Sequence, residues 1–297
     1  MKTNRLVAIA AAAAVVLGAA CAKPQTKTEA VEVVTTLDVL AHWVRAVGGD
    51  RVRVQSLLSG YEDPHNFEPR PADAERIARA KLLVRVGLGL EEWLDGLVTN
   101  SGNRALVLLD AADGVDVIGA GDGHGHEAGN PHVWLDPQNA RSAVLRIAGE
   151  LARLDPKGES LYQSRANAYA ARLDSLTAEL VALAAALPDR RFIGYHDAWP
   201  YFNRRFGFEA VANIEPVPGQ EPSARRLAEL VDLVRRERVR VVVTEPQLAS
   251  DLPNTLARET GARVVALNAL RADSAGGDPY IGLIEQNVRR LAAALGN

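Results

Sequence analysis

The stretch GESLYQSRANAYAARLDSLTAELVALAAAL, residues 158–187, decides the fold because it predicts one long, uninterrupted helix. Its apolar side chains recur at spacings of three and four residues, at Tyr169, Leu173, Leu176, Leu180, Leu183 and Leu187. This spacing places them on one helix face, and Pro188 predicts the end because proline lacks an amide hydrogen. At 1.5 Å per residue the helix is roughly 40 Å long, about the length of a domain. It is either a cover helix on one sheet or a rigid strut that joins two lobes.

Short β-rich runs alternate with helical patterns on both sides of this helix. The predicted strands are VEVVTT (31–36), VRVQSLL (52–58), LLVRVG (82–87), RALVLLD (104–110), RRFIGYH (190–196), FEAVANI (208–214), RVVVTEP (240–246) and ARVVALNAL (262–270). Such alternation is typical of βαβ units around parallel sheets. The fold class is therefore α/β, with two lobes that each contain a mainly parallel β-sheet flanked by helices, joined by one long rigid α-helix. The predicted bounds are 31–157 for the N-terminal lobe, 158–187 for the linking helix and 188–297 for the C-terminal lobe.

The N-terminus has the pattern of an export signal. Lys2 and Arg5 precede the apolar run 6–17, and small residues follow it. Residues 1–21 are predicted to be a signal peptide, and the polar residues 22–30 a tether. We therefore expect the protein in the periplasm or another extracytoplasmic location.

The chain's single cysteine, Cys21, lies at the end of this signal and leaves two processing routes open. LGAAC (17–21) resembles a lipoprotein signal, in which Cys21 is acylated and becomes the mature N-terminus. ACA (20–22) also fits ordinary cleavage after small residues, which would remove Cys21.

Composition excludes some classes of function. The chain has 297 residues, 47% of them hydrophobic, and a net charge of −3. A nucleic-acid-binding protein usually carries a basic excess, so we expect no nucleic-acid partner. After the signal, no stretch approaches the ~18 apolar residues of a membrane span. We expect a monomer.

Four polar residues are predicted to follow strands or lie in long loops: His65 in YEDPHNFEP, His132 in GNPHVWLDP, His196 at the end of RRFIGYH, and Asp273 in RADSAGG. In open α/β sheets, ligands collect at the carboxyl ends of strands. Each residue is more than 60 positions from the next, which excludes a zinc finger and suits a site between two lobes. A lone loop histidine is more often solvated than a ligand, but here five of the six histidines share such positions. Only His42 lies inside a predicted helix, and we interpret it as structural.

The motifs DPHNFEPRPAD, NPHVWLDPQNA, FIGYHDAWPYFNRRFG and NALRADS resemble those of the zinc/manganese substrate-binding proteins of bacterial ABC importers, the cluster A-I solute-binding family. The resemblance covers nearly the whole chain after the signal. It implies two α/β lobes joined by a long helix, and His65, His132, His196 and Asp273 as metal ligands. It also implies a membrane permease as partner, with a periplasmic metallochaperone as a further candidate.

Ligand type favours Zn²⁺ as the cargo. The resemblance implies that manganese-selective members often carry a carboxylate at the third ligand position, where this chain has His196. Three imidazoles and one carboxylate suit tetrahedral zinc. The same set with a bidentate Asp273 would also hold Mn²⁺ or Fe²⁺.

The segment GDGHGHEAG (121–129) resembles the His- and acid-rich loop that zinc-specific members carry before the second ligand. Asp122, His124, His126 and Glu127 are candidate residues for weak zinc capture. The alternative is a flexible glycine-rich loop whose histidines are incidental.

Two other classes of protein remain. A zinc hydrolase would use the same ligands with a water in one position, and Asp197 and Glu245 are conceivable general bases. An adhesin or storage protein would share the metal site. Trp134 and Trp199 lie close to candidate ligands and either wall the site from water or pack a core.

Overall fold

The protein, described here from a computed structural model, is built from two similar halves on either side of one long helix. The structure describes residues 30–120, 128–215, 222–248, 250–271 and 277–296. The first half contains β1 (Val31–Thr35), α1 (Asp38–Gly48), β2 (Val52–Ser56), α2 (Pro71–Arg79), β3 (Leu82–Arg85), α3 (Leu94–Ser101), β4 (Val107–Asp110) and α4 (Pro137–Leu154). The long helix α5 (Glu159–Ala185) follows. The second half contains β5 (Arg191–His196), α6 (Pro200–Phe206), β6 (Glu209–Glu215), α7 (Ala224–Glu237), β7 (Val241–Thr244), α8 (Leu252–Thr260), β8 (Arg263–Ala266) and α9 (Pro279–Leu295).

The two sheets share one topology. The strand orders are β2-β1-β3-β4 and β6-β5-β7-β8, and every pairing in the two sheets is parallel. In each sheet the second strand lies on one side of the first, and the third and fourth strands lie on the other side. The strand order therefore reverses between β1 and β3 in one sheet and between β5 and β7 in the other. The carboxyl ends of such neighbouring strands form a crevice, which is where ligands bind in open α/β sheets. The predicted fold class is confirmed.

The helix α5 contacts both halves of the molecule. It packs on α1 and α4 from the first half and on α6 and α9 from the second. Its buried positions follow the predicted periodicity and include Tyr169, Leu173, Leu176 and Leu180. The strut interpretation therefore describes α5 better than a cover helix on one sheet.

Both ends of α5 lie slightly inside the predicted bounds 158–187. Gly158 belongs to a preceding 3₁₀ turn, where an added Cβ would lie 2.6 Å from the Tyr162 ring. The hydroxyl of Tyr162 donates to Asp155, which also accepts from Arg51 and so fixes the start of the helix. At the other end the amide of Leu187 bonds to Ala184, three residues back, in a tightened last turn before the proline.

The last predicted strand, 262–270, is shorter in the structure. Strand β8 ends at Ala266, and the chain then turns into a buried loop that reaches Leu270. Asn287 of α9 holds this loop, since its Oδ1 accepts from the amide of Asn268 and its Nδ2 donates to the Asn268 carbonyl. The side chain of Asn287, from a later helix, thus makes the backbone hydrogen bonds that a neighbouring strand would otherwise make with this segment.

One hydrophobic core extends through both halves. The same buried cluster includes Val33 of β1, Trp43 of α1, Leu173 of α5 and Val243 of β7. A smaller cluster in the second half includes Ile193, Val242 and Leu256. Within the described residues, no helix is both long and apolar enough to cross a bilayer.

Candidate metal centre

Three histidines from separate parts of the chain meet between the two halves. His65 follows β2, His132 precedes a 3₁₀ turn (Val133–Leu135), and His196 ends β5. The Nε2 atom of His132 lies 3.4 Å from that of His65 and 3.3 Å from that of His196. Their candidate ligand atoms all lie within 4.8 Å of one another, and they form the one such group of three or more within the residues described. Three imidazole nitrogens this close together are a donor set that suits a borderline metal ion.

The loop around His65 is shaped by local hydrogen bonds. The amide of His65 donates to Asp63 Oδ1 at 3.0 Å, so the aspartate closes a turn around the intervening proline. The indole of Trp93 donates to the Pro64 carbonyl at 3.0 Å. This bond ties the loop to the start of α3, which Trp93 directly precedes. His65 is half-buried, whereas His132 and His196 are buried.

Asn130 orients His132. Its Oδ1 accepts from both the backbone amide and the ring Nδ1 of His132, each at 3.0 Å. Its Nδ2 donates to the carbonyl of Asp197, which fixes which side of the amide faces the ring. His132 therefore carries its proton on Nδ1, and its Nε2 faces the Nε2 atoms of His65 and His196.

Glu245 orients His196. It follows β7, next to β5 in the sheet, and its Oε1 lies 2.8 Å from the ring Nδ1 of His196. Burial by itself lowers the pKa of His196, but the charge and hydrogen bond of Glu245, together with the charges of Asp63 and Glu215, outweigh burial and raise that pKa above its ordinary value. In the neutral ring, Nδ1 donates to the carboxylate and Nε2 faces the other two imidazoles.

The three rings line a small cavity of about 30 Å³. Other lining residues include Trp134, Glu215, Gln247 and Leu270. The volume holds an ion with roughly one or two waters, since a water needs about 10–15 Å³. Sites for small organic ligands are usually about 300–1,000 Å³, so an ion is the better match.

The structure brings together three of the four predicted primary ligands, His65, His132 and His196. Their role as metal ligands stays a prediction. The fourth, Asp273, lies outside the described residues, as do Asp122, His124, His126 and Glu127 of the predicted capture loop and Cys21 of the signal.

The structure also places Trp134, Trp199 and His42. Trp134 is fully buried, lines the cavity and donates to the Ala269 carbonyl at 2.7 Å, so it both packs and walls the site. Trp199 is buried in the core and donates to Glu245 at 3.3 Å. His42 lies on α1 and pairs with Asp38 four residues earlier, in agreement with a structural role.

Sequence reasoning missed the roles of Asn130 and Glu245. The role of Asn130 can be predicted from the sequence. The side-chain oxygen of an asparagine can accept a hydrogen bond from the backbone amide two residues later, which here belongs to His132. The role of Glu245 cannot, because it is 49 residues from His196 and meets it only through the pairing of β5 with β7.

Known proteins resemble this chain over most of its length. The family model described as ZnuA, zinc-uptake complex component A periplasmic, matches residues 33–294. The high-affinity zinc uptake system protein ZnuA of Bacillus subtilis strain 168 is 30% identical over 96% of this chain and 95% of its own. The manganese-binding lipoprotein MntA of Halalkalibacterium halodurans is 26% identical over 94% of each chain.

The fold comparison agrees with the sequence comparison. A crystal structure of ZnuA superposes with a TM-score of 0.80 at 31% identity, covering 90% of this chain and 99% of that one. Both comparisons cover most of the chain, including the residues from 33 to 294 that the family model matches. The chain therefore belongs to the ZnuA family, among the zinc/manganese substrate-binding proteins.

Proposed function

We propose that this protein is a high-affinity extracytoplasmic receptor that binds Zn²⁺ and delivers it to an ABC importer. The carrying observation is the spacing of the imidazole nitrogens. A tetrahedral zinc ion with bonds of 2.0–2.1 Å separates its ligand atoms by about 3.3–3.4 Å. The two separations at His132 are 3.4 and 3.3 Å.

Ligand type also favours zinc over a harder six-coordinate ion, because three imidazoles supply none of the oxygens that a harder ion prefers. The alternative cargo, Mn²⁺ or Fe²⁺, is favoured by the likeness to MntA, which is named as manganese-binding. The likeness to ZnuA of Bacillus subtilis, named for zinc uptake, supports zinc.

We assign His65, His132 and His196 as primary ligands and Asp273 as the fourth. Residues Asp122, His124, His126 and Glu127 are assigned to a capture loop that binds zinc weakly before it reaches the primary site. The proposed domains remain 31–157, 158–187 and 188–297, with 1–21 as signal peptide and 22–30 as tether.

The same proposal covers location and partners. The predicted signal places the receptor in the periplasm or outside the membrane, either free or anchored by an acylated Cys21. The lipoprotein name of MntA supports an anchor. Its partner is the permease of the importer, and a periplasmic metallochaperone is a further candidate.

The hydrolase alternative has no support. The family is one of metal-binding receptors rather than enzymes. Glu245, the conceivable base, is 1% exposed and already accepts from His196, Trp199 and Gln247. The cavity of about 30 Å³ is also much smaller than the sites of about 300–1,000 Å³ that usually hold organic ligands.

Affinity alone cannot identify the cargo, because most nitrogen-rich sites bind zinc more tightly than manganese. The decisive measurement is elemental analysis of the protein purified from its natural compartment, where we expect one zinc per chain. Competition titrations of the His65→Ala, His132→Ala and His196→Ala variants test the ligands. Each should bind zinc at least about 100-fold more weakly, since each loses a direct bond to the ion.

His42→Ala is the matched control, because His42 lies on α1 and pairs only locally with Asp38. It should bind zinc like the wild type. Manganese or iron in the native protein would refute the zinc assignment. Unchanged zinc affinity in an alanine variant would remove that histidine from the ligand set.

A further inference from the structure

The carboxylate of Glu245 is buried directly behind a proposed ligand. Its side chain has no exposed surface, and Oε1 accepts from the Nδ1 atom of His196 at 2.8 Å. The indole of Trp199 donates to the same oxygen at 3.3 Å, and the amide of Gln247 donates to Oε2 at 2.9 Å. Trp199 and Gln247 therefore hold the carboxylate against the ring of His196.

The other buried imidazole has a neutral partner in the equivalent position. The Nδ1 atom of His132 donates to the side-chain amide oxygen of Asn130. An amide oxygen is thus sufficient to select the tautomer and fix the ring. A carboxylate buried at the same place costs more free energy than an amide, because a charge must leave water. Its presence behind His196 indicates that the charge itself has a use.

A divalent cation in this cavity needs negative charge nearby. The three neutral imidazoles supply lone pairs but no charge, and the proposed fourth ligand Asp273 balances only one of the ion's two positive charges. Electrostatic interactions are also stronger in a buried site than in water. A carboxylate hydrogen-bonded to a ligating imidazole makes the ring a more basic donor. Glu245 is placed to do this through a single hydrogen bond.

We propose that Glu245 is a positioning residue of the metal site, which holds His196 as the Nδ1–H tautomer and strengthens its bond to the cargo by supplying a negative charge from behind the ring. The proposal rests on the proposed function, because it concerns the affinity of the same site. In other metal sites, loss of such an outer partner lowers metal affinity about 10–100-fold.

The test is Glu245→Gln, which keeps the size and an acceptor oxygen but removes the charge. We expect zinc affinity to fall 10–100-fold in competition titrations. The visible absorption spectrum of the Co²⁺-loaded variant should shift, since His196 becomes a weaker donor, while thermal unfolding of the metal-free variant stays at or above the wild-type temperature. A merely structural role would lower the unfolding temperature of the metal-free variant and leave the cobalt spectrum of the folded protein unchanged.

The control is Glu91→Gln. Glu91 is also a buried carboxylate, held by Thr36 and by the amides of Val86 and Gly87, and it does not line the cavity. The Glu91→Gln variant should bind zinc within about twofold of the wild type. A weaker affinity in Glu245→Gln alone would then show that the position of the charge behind His196 matters, and not the loss of a buried carboxylate in general.

The outcomes are distinguishable. Zinc affinity of Glu245→Gln within twofold of the wild type would overturn the proposal. A wild type that does not bind zinc would instead refute the proposed function. If Glu245→Gln does not fold, Glu245→Asp is measured, which keeps the charge but withdraws it from the ring. It should bind zinc at least about threefold more weakly, and wild-type affinity there would overturn the proposal.

Discussion

The three imidazoles of the candidate site differ in burial. His132 and His196 are 2% and 6% exposed, and each ring contacts a buried partner through Nδ1. His65 is half-buried, and its loop is held by hydrogen bonds from the His65 amide to Asp63 and from Trp93 to the Pro64 carbonyl. His65 is therefore the most exposed of the three proposed ligands.

At the same scale, Asp136 links the two halves with one buried carboxylate. It is fully buried, accepts two hydrogen bonds from Arg205 of α6 at 2.7 and 2.9 Å, and caps α4. In Asp136→Asn the cap survives but the guanidinium loses its charged partner. We expect the free energy of unfolding to fall by about 2–3 kcal/mol, near the lower end for a broken buried pair because Arg205 is one-third exposed. Urea denaturation measures the change.

Asp174→Asn is the matched control for that variant. Asp174 also accepts from an arginine, Arg141, but its side chain is 49% exposed. An exposed pair contributes little, so its loss should change stability by less than about 1 kcal/mol. Equal effects of the two substitutions would contradict the structural role of Asp136.

The candidate ligand residues illustrate what sequence can and cannot predict. His65 and His132 are recognisable because their local motifs, each with a preceding proline, shape a loop that presents a ring. The pairing of His196 with Glu245 is not local: it requires knowing that β5 and β7 are neighbours, although β6 lies between them in sequence. Strand order, rather than any motif, decides this contact.

At the scale of elements, helix α5 was the easiest to predict and α4 the easiest to miss. The periodicity of α5 continues over many turns, so its apolar face stands out. The sequence of α4, PQNARSAVLRIAGELARL, also begins with a cap and a proline, Asp136 and Pro137. It directly follows the histidine motif, and the sequence prediction places no helix between the fourth strand and the linking helix.

Two leucines of α5 test how the helix is stabilised. Leu173 is fully buried in the shared core, whereas Leu161 is 39% exposed on the same helix. Leucine and alanine both favour helices, so the two substitutions to Ala differ mainly in packing. Leu173→Ala should lower the free energy of unfolding by about 3 kcal/mol through the cavity it leaves.

Leu161→Ala should change that free energy by less than about 1 kcal/mol, because it is a surface substitution. Urea denaturation of both variants under one condition gives the comparison. If both cost the same, helix propensity rather than core packing would dominate α5, and the strut would not depend on its contacts with α1 and α9.

At the scale of the whole molecule, the halves are joined by more than a single connection. Trp43 of α1 meets Tyr280 of α9 edge to face at 5.1 Å, and the Tyr280 hydroxyl donates to the Trp134 carbonyl at 2.6 Å. Trp134 in turn donates to Ala269 across the site. A wide rotation of one half against the other would break this chain of buried contacts together with the core around α5. Interiors packed in this way shift between discrete arrangements rather than deforming continuously.

Zinc capture should therefore proceed through loop movement, with little change in overall shape. A compact chain of this size has a radius of gyration of about 18 Å. We expect small-angle X-ray scattering to give the same radius for the metal-free and zinc-loaded protein within about 1 Å, the scale of change in preorganised binding. Ca²⁺, which prefers oxygen ligands, is the control for ionic effects. A larger contraction that occurs with zinc alone would mean that the buried contacts of Trp43, Trp134 and Tyr280 form only in the closed state, and that α5 acts as a hinge.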